Sequence, residues 1–366
     1  MRRLAPGPQK STTGLHGHRC RNVIFNTLGV MRSNFSALLR FLLLLIVWAG
    51  ASTVARAQAL ADSGLISQPG PAFVVKDSEL PKNLSIVVYG DMRFTDPANT
   101  TAADPAARRA LVARIAEVHP DALILTGDVP FRGTFAADYD EFRLETAAWR
   151  SENLRVYPAL GNHEFGGKGP DDPLKNWWTA FPELKDRRWY SVALGSRVYV
   201  LCLDSDADLT PGTPQRAWLE DQVAHLPRKV EFVFIAMHHP PVADIQTLVE
   251  VSHNPRPNEI ALRDYLSQAA PRAHAQFIVA SAHIHNYERA EVDGVTYLVC
   301  GGGGAHPYPV ERTPQDKYQA TDFPNFHYVL FQLDGRQMKA TMFRLGFPVA
   351  ATPDFQARDS FTITTK

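Results

Sequence analysis

Five short clusters of polar residues each follow directly after an apolar, strand-like run in this sequence. The clusters contain carboxylate, amide and imidazole side chains and no thiolate. These groups suit a hard or borderline divalent or trivalent metal ion, such as iron, zinc or manganese. The clusters are Gly90-Asp91-Met92-Arg93, Gly127-Asp128, Gly161-Asn162-His163-Glu164, His238-His239-Pro240 and His283-Ile284-His285.

Six side chains in these clusters are candidate metal ligands, and this number favours two ions over one. A single zinc ion that keeps an open position takes three protein ligands. Two ions about 3.5–4 Å apart would let a bridging hydroxide attack phosphorus in line while both ions neutralise the developing charge. The candidate ligands are Asp91, Asp128, Asn162, His238, His283 and His285.

The clusters need a scaffold that brings five strand ends to one place. Ligands of α/β sheets bind outside the carboxyl ends of the strands, so the five clusters can converge on one crevice. The glycines before Asp91, Asp128 and Asn162 are expected to let the backbone turn sharply where each strand ends.

Apolar runs and helical spacing predict strands that alternate with helices along the chain. Strands are predicted at 84–89, 122–126, 155–160, 189–203 (as a hairpin), 230–237 and 276–280, and helices at 106–118, 138–150, 214–225 and 260–268. Asp334-Gly335 predicts a hairpin between 328–333 and 337–344. This order predicts an α/β fold, a layered α/β/β/α sandwich with two packed mixed sheets and the active site at the C-terminal ends of strands. Residues 170–190 and 305–325 are expected to be long binding loops.

The ordered set of motifs resembles the calcineurin-like metallophosphoesterases over roughly residues 84–304. The continuation His283-Ile284-His285-Asn286-Tyr287-Glu288-Arg289 is similar to the purple acid phosphatase branch. The resemblance implies hydrolysis of a small-molecule phosphate ester, with monoesters preferred. A phosphodiesterase or nucleotide hydrolase, and a non-catalytic phosphate- or metal-binding relative, are the alternatives.

The resemblance also implies roles for individual residues. Asp128 would bridge two metal ions. One ion would be held by Asn162, His238 and His283, and the other by Asp91 and His285. His163 would not bind metal but would protonate or stabilise the leaving oxygen, which is general acid work suited to an imidazole. The substrate phosphate would be contacted by Arg93, Asn162, His163 and His239.

The sequence departs from the family pattern at two positions. Most of the superfamily has His where this chain has Arg93, and purple acid phosphatases have Tyr where this chain has Phe131. The second ion would therefore be held by Asp91, Asp128, His285 and solvent, and would bind more weakly. No purple colour is expected without a tyrosinate ligand. Arg93 could instead pair with the substrate phosphate or with Asp91.

Each motif taken alone has an ordinary structural explanation. Asp91 or Asp128 could be a helix cap or turn residue, and the two adjacent histidines could belong to a rigid turn. The chain would lack a metal site only if all these explanations were correct at once. Residues 301–304, four consecutive glycines, predict a close-packed turn rather than a phosphate cradle, since no Lys-Ser/Thr pair follows.

Charge is distributed unevenly along the chain. The 366 residues contain 38 basic and 38 acidic side chains, with 45% hydrophobic and 21% charged residues, which excludes disordered, collagen-like and polytopic membrane proteins. Residues 1–57 hold eight of the basic residues and none of the acidic ones, so the rest is about eight charges negative. This balance, without a basic cluster, argues against binding to a nucleic acid backbone.

Residues 1–57 have the pattern of a signal peptide. Basic residues after Met31 precede the apolar run 41–48, and Ala55-Arg56-Ala57 fits a cleavage site. The apolar run is too short to span a bilayer comfortably. A periplasmic or secreted location is therefore expected, with a true start at Met31 and an uncleaved anchor as alternatives.

The remaining chain is expected to comprise a linker or N-terminal arm at 58–82 and one metallophosphoesterase domain at 83–366. Cys202 and Cys300 each lie near the end of an apolar run, and buried free thiols are the preferred interpretation over a disulfide.

Overall fold

The computed structural model describes residues 70–246 and 253–366, whose strands form two mixed sheets and a two-stranded ribbon. The predicted signal peptide lies outside the described residues. The larger sheet contains seven strands. In spatial order these are β1 (Phe73–Val75), β5 (Tyr190–Leu194), β6 (Val198–Cys202), β7 (Phe232–Ala236), β9 (Gln276–Ser281), β11 (Val295–Cys300) and β10 (Tyr287–Val292).

The smaller sheet contains six strands. In spatial order these are β15 (Phe355–Thr364), β14 (Gln337–Leu345), β13 (His327–Asp334), β2 (Ser85–Tyr89), β3 (Ala122–Leu125) and β4 (Val156–Pro158). β2, β3 and β4 are parallel, as are β6, β7, β9 and β11 in the larger sheet. The ribbon pairs β8 (Ile245–Gln246) with β12 (Val310–Glu311).

Six α-helices connect these strands in the described part of the chain. They are α1 (Pro105–Val118), α2 (Ala136–Glu145), α3 (Ala147–Ser151), α4 (Pro173–Ala180), α5 (Pro214–Ala224) and α6 (Pro257–Ala269). Four of these helices begin at a proline, which suits the first helical position because its missing N–H would have no partner there. The Asp104 side chain caps α1 by accepting a hydrogen bond from the Ala107 N–H at 2.9 Å.

The two sheets pack face to face over one apolar core. β7 shows the alternation that builds it: Phe232 and Phe234 point into this core, whereas Val233 and Ile235 belong to a second cluster. The Phe234 ring meets the Phe331 ring of the smaller sheet edge to face, with centroids 5.0 Å apart. The α/β/β/α sandwich predicted from the sequence is confirmed.

Helices cover the outer faces of both sheets. Leu111 of α1 packs with the smaller sheet, and Trp218 of α5 and Leu262 of α6 pack with the larger one. None of the helices in residues 70–246 and 253–366 is long and apolar enough to cross a membrane. Cys202 and Cys300 are buried free thiols, as expected.

Two predicted elements were wrong in part. The single helix predicted at 138–150 is divided into α2 and α3 at Thr146, whose hydroxyl donates to the Phe142 carbonyl at 2.6 Å. The predicted loop at 170–190 contains α4, whose first turn is capped by the Asp172 side chain. Within the arm predicted at 58–82, β1 adds a strand to the edge of the larger sheet.

Candidate metal centre

The loops after five parallel strands bring the six predicted ligands into one buried group. Three of these strands belong to the smaller sheet and two to the larger. Asp91 follows β2, Asp128 follows β3, Asn162 follows β4, His238 follows β7, and His283 and His285 follow β9. Both packed sheets therefore contribute ligands at the carboxyl ends of their parallel strands, as the sequence predicts.

Four of the predicted ligands point their donor atoms at a common point. The Asn162 Oδ1 lies 3.0 Å from His238 Nε2 and 3.1 Å from His283 Nδ1. His238 Nε2 lies 3.2 Å from His283 Nδ1 and 3.2 Å from Asp128 Oδ1. Donor atoms bonded to one ion at about 2.1 Å are about 3.0 Å apart in an octahedron and about 3.4 Å apart in a tetrahedron. The donor set and its spacing fit a metal ion here, which we call the first position.

The other two predicted ligands form a second pair beside this group. His285 Nε2 lies 3.4 Å from Asp91 Oδ1, and neither atom has a hydrogen-bond partner within the described residues, although both are buried. Buried polar atoms are rarely left unsatisfied in a native protein. Asp91 and His285, with a carboxylate oxygen of the neighbouring Asp128, therefore define a second position for a cation.

The imidazole rings are oriented by hydrogen bonds made on their far sides. His238 Nδ1 lies 3.0 Å from the Thr126 carbonyl, and His285 Nδ1 lies 2.6 Å from the His306 carbonyl. A ring that donates from Nδ1 to a carbonyl presents an unprotonated Nε2, which is the form that binds metal. Burial lowers the pKa of His285 well below its usual value, with Arg93 adding to the shift, so this ring is neutral at neutral pH.

The two carboxylates differ in how easily they ionise. Burial raises the pKa of Asp91 to about 7, with the charge of Asp128 adding to the rise and His238 opposing it. Burial also acts to raise the pKa of Asp128, but His238, His163 and Arg93 together hold it well below its usual range. Asp128 is thus the permanently charged carboxylate of the pair.

Several site residues adopt left-handed backbone conformations that non-glycine residues rarely occupy. The φ angles are 59° at Asp91, 49° at Arg93, 54° at Asp128 and 69° at His283. Such conformations cost free energy, and they concentrate at functional sites. The sharp turns at these strand ends are therefore made by the polar residues themselves.

Only one of the three glycines before the ligands serves the conformational purpose expected of it. Among the three, only Gly127 has a positive φ, at 92°. Gly161 is required by space, because an added Cβ would lie 2.5 Å from Asp128 Oδ1. Gly90 is crowded in the same way by the Thr126 hydroxyl. Within 301–304, a Cβ on Gly301 would lie 2.1 Å from the Ile284 carbonyl, so the close-packed turn is confirmed.

His163 and His239 lie at the edge of the group. The His163 Nδ1 is 2.6 Å from the Phe131 carbonyl, and its Nε2 is 3.9 Å from Asp128 Oδ2. The His239 Nδ1 is 2.8 Å from the Ser205 hydroxyl. Burial lowers the pKa of both rings, and the neighbouring His238 and His283 lower that of His239 further. The lowered pKa favours the neutral form of both rings beside the first position.

Arg93 is paired with a different carboxylate from the one expected. Its Nε and Nη2 donate to Asp128 Oδ2 at 3.4 and 3.2 Å, not to Asp91. Burial raises the pKa of the neighbouring Tyr308, and the charge of Arg93 opposes this rise. The guanidinium is 14% exposed, so it lies inside the site rather than over it.

Glu164 is a positioning residue whose role the sequence did not reveal. Its buried carboxylate accepts the backbone N–H groups of Asp128, Val129 and Gly161 at 3.0, 2.8 and 2.7 Å. It thereby joins the loop after β3 to the loop after β4. Its place in the Gly-Asn-His-Glu motif was the only sequence signal that Glu164 belongs to the site. That Glu164 lies beside the Asp128 backbone is shown only by the fold.

His253 and Tyr308 also line the site and were not predicted as site residues. The His253 ring lies 4.5 Å from the His283 ring, and the Tyr308 ring stacks on His285 at 4.2 Å. Tyr308 comes from the predicted binding loop at 305–325. His253 follows the segment 247–252 and belongs to no motif, so its sequence position gave no signal.

The family profile of the calcineurin-like phosphoesterases matches residues 84–302. The chain therefore belongs to the calcineurin-like phosphoesterase family, as the motifs predict. No curated protein sequence matches the chain at a significant level.

Solved structures with a similar fold include a purple acid phosphatase from yellow lupin (Lupinus luteus) seeds. It has a TM-score of 0.59 and 19% identity, over 81% of this chain and 55% of the lupin chain. This chain thus spans about half the length of the lupin protein.

Two further structures share the fold. A dimetal phosphatase from Danio rerio has a TM-score of 0.51 and 14% identity, over 81% of this chain and all of its own. A Plasmodium protein described as the anchor in the inner membrane complex has a TM-score of 0.52 and 12% identity, over 78% of this chain and 90% of its own. At these identities the similarity shows the fold alone.

Proposed function

We propose that the protein is a metal-dependent hydrolase of phosphate monoesters. The observation that carries this proposal is the convergence of four donor atoms, from Asp128, Asn162, His238 and His283, within 3.0–3.2 Å contacts beside the His163 ring. Family membership supports a phosphoesterase, and the monoester is our inference from the resemblance to acid phosphatases. The substrate class is a small-molecule phosphate ester.

In this proposal the six predicted ligands would hold metal ions, and Asp128 would contribute to both positions. When bound, the ions would activate water for attack and neutralise charge on the phosphoryl oxygens. The donors are oxygen and imidazole nitrogen, which suits zinc, manganese or iron. The neutral rings of His283 and His285 and an ionised Asp128 prepare the site for a cation before it arrives.

His163 is the candidate general acid. Its Nδ1–H donates to the Phe131 carbonyl, so the ring can hold a second proton only at Nε2. That nitrogen faces the Asp128 carboxylate at 3.9 Å, at the edge of the centre. A proton held there can be delivered to a leaving oxygen, as general acid catalysis requires.

His239 and Asn162 are candidates for contacting the phosphate. The Ser205 hydroxyl hydrogen-bonds the Nδ1 of His239 and the backbone N–H of His239 donates to the same hydroxyl, which fixes the ring. A fixed neutral imidazole can donate to a phosphoryl oxygen without adding charge to the site.

A phosphodiesterase is the second candidate, and the position of Arg93 favours it. A monoester dianion needs more charge neutralisation than a diester monoanion, and Arg93 was the expected partner for the additional charge. Its guanidinium instead donates to Asp128. The two candidates therefore differ in whether Arg93 reaches the substrate.

Turnover of matched aryl substrates tests the proposal. The purified protein, supplied with Mn²⁺, Zn²⁺ or Fe²⁺, is assayed on an aryl phosphate monoester and on the corresponding diester. We expect the larger kcat/KM on the monoester, and its loss in Asp128→Asn but not in the control Asp221→Asn, an exposed position on α5. Preference for the diester would select the second candidate, and no turnover on either ester would overturn the enzyme proposal.

We also propose that residues 1–57 direct export to the periplasm or outside the cell. The support is their eight basic residues, their apolar run and the Ala55-Arg56-Ala57 sequence. In the exported form, the excess of acidic residues would repel an anionic substrate at long range. The attraction must then come from cations inside the site.

A further inference from the structure

We propose that Arg93 is the resident cation of the second position, so that the protein binds one metal ion tightly and a second one only weakly. This inference rests on the proposed metal-dependent function. It adds to that function a difference in metal affinity between the two positions. Arg93 thereby acts as a residue that sets metal stoichiometry.

The two oxygens of Asp128 face different partners. Oδ1 lies 3.2 Å from His238 Nε2 and accepts the His163 backbone N–H at 2.9 Å, on the side of the first position. Oδ2 receives the two donors of Arg93 at 3.2 and 3.4 Å. The guanidinium therefore occupies the oxygen that a second ion would need for bridging.

The second position has few other ligands. Asp91 Oδ1 and His285 Nε2 are free of hydrogen bonds among the described residues. The other Asp91 oxygen is already taken by the His283 backbone N–H at 2.7 Å. Arg93 and Phe131 supply no ligand atom. A second ion would thus have two free donors and one that is shared with a positive charge.

Arg93 is held in place at both its backbone and its side chain. Its N–H donates to the Asp128 carbonyl at 2.9 Å, and its own carbonyl accepts from Arg108 Nη1 at 3.2 Å. Arg108 is fully buried and pairs with Glu145 through contacts of 2.7 and 2.9 Å. Because its backbone is anchored and its guanidinium is bound to Asp128, Arg93 cannot leave the second position without losing these contacts.

Two effects could weaken the second ion, and they can be separated. The first is the missing ligand, which an apolar side chain at position 93 would leave unchanged. The second is repulsion and competition by the guanidinium charge, which a neutral side chain removes. At separations of about 4–5 Å in a buried site, a unit charge changes the affinity for a divalent ion by at least about tenfold.

Metal titration of charge variants tests the inference. The full chain and its variants Arg93→Met and Arg93→Lys are stripped of metal and titrated with Mn²⁺, with bound ions counted by equilibrium dialysis and elemental analysis. We expect one tight ion in the wild type and a second at least about tenfold weaker. Arg93→Met should bind the second ion at least about tenfold more tightly, whereas Arg93→Lys should resemble the wild type.

Electron paramagnetic resonance of the same samples gives an independent measure. At one added equivalent of Mn²⁺, the wild type and Arg93→Met should both show the signal of an isolated ion. At two equivalents, Arg93→Met should show the signal of an exchange-coupled pair of ions. Arg132→Met is the matched control, because this arginine pairs with Asp138 and not with the centre. It should titrate like the wild type, and thermal unfolding checks that all variants are folded.

Two results would overturn the inference. One is equal affinity of the wild type for two ions, and the other is a second-ion affinity that is the same in Arg93→Met as in the wild type. Both leave the proposed hydrolase intact if the protein turns over the aryl esters. Conversely, the Mn²⁺ titrations could give the expected result while neither ester is hydrolysed. That outcome would support the difference in metal affinity and overturn the proposed activity.

Discussion

Asp128 is the side chain on which most contacts of the centre converge. Its carboxylate faces His238 on one oxygen and Arg93 on the other, and it accepts the His163 backbone N–H. Because these neighbours hold its pKa well below the usual range, the carboxylate stays charged although it is fully buried. A buried charge of this kind is stable only while its partners remain, which makes the surrounding residues sensitive to substitution.

His163→Asn should slow hydrolysis most for substrates with poor leaving groups. Removing the imidazole removes the proton donor, and general acid catalysis contributes roughly 10²–10⁴-fold. The measurement is kcat/KM for a series of aryl phosphates of increasing phenol pKa. His225→Asn, at an exposed position following α5, is the control. An equal loss across the whole series would contradict the assigned role.

Glu164→Gln should destabilise the fold and weaken metal binding together. Gln presents one oxygen in place of two, so its amide group would face an N–H donor that the carboxylate now accepts. We expect a loss of roughly 1–3 kcal/mol in the free energy of unfolding, measured in urea. Glu183→Gln, at an exposed position, should change neither property. Wild-type stability together with wild-type metal affinity in Glu164→Gln would contradict its role in joining the two loops.

At the scale of elements, the strands were predictable because the sequence carries their signals locally. The runs at 85–89 and 122–125 are continuous and apolar since both of their faces are buried, and Asp334-Gly335 marks the hairpin between β13 and β14. The six ligands followed from their positions after such runs. Their convergence depends on which strands become neighbours, and the sequence indicated it only through the general rule that ligands of α/β sheets bind outside the carboxyl ends of the strands.

Other features of the site depend on contacts between distant segments and left no local signal. Glu164 acts across 36 residues on Asp128. The left-handed conformations of Asp91 and His283 are imposed by the packing around them, because neither residue type favours that region strongly enough to predict it. The pairing of Arg93 with Asp128 rather than Asp91 is likewise a matter of side-chain direction, which the sequence does not encode locally.

Gly127→Ala should weaken metal binding without unfolding the protein. An added Cβ would lie 2.8 Å from Nδ1 of His238, so this ligand must move. Gly212→Ala is a matched control, because the φ angles are 92° and 87° while Gly212 has no neighbour within 4 Å. Both variants bear the same backbone strain, and only Gly127→Ala should lose affinity in a Mn²⁺ titration. Equal affinities would show that the crowding is relieved without moving His238.

At the scale of the whole molecule, the buried polar network around Glu288 makes the stability of the fold depend on pH. Burial raises the pKa of Glu288 to about 8, Asp244 and Asp316 add to the rise, and Arg312 opposes it. An unfolded glutamate has a pKa of about 4.3, so between these values the folded state binds more protons than the unfolded state. The free energy of unfolding should therefore fall as the pH rises through this window.

Glu288→Gln should remove this dependence. Relative to the wild type, the variant should gain more than about 1 kcal/mol in free energy of unfolding between pH 5 and pH 8, measured by urea unfolding. Glu291→Gln, at an exposed position on the same strand, should show no such change. A constant difference between Glu288→Gln and the wild type would mean that Glu288 is ionised throughout the range.

The zero net charge of the chain combines a basic segment at 1–57 with an acidic remainder, and the proposed export would separate them. If residues 1–57 are a signal peptide, the protein recovered after expression of the full chain in an exporting host begins at Gln58. Mass spectrometry of the intact product checks this, and Ala57→Arg should block cleavage because the site requires a small residue. A recovered wild-type chain that retains residues 31–57 would instead support the anchor.

The central claim is that this centre hydrolyses phosphate esters only when metal is bound. The most direct test is the rate of aryl phosphate monoester hydrolysis by the purified protein before chelation, after chelation and after Mn²⁺ is restored. We predict that turnover is lost with the metal and returns with it in the wild type, but does not return in His283→Ala, which lacks a ligand of the first position. Full turnover by the metal-free protein would contradict the account.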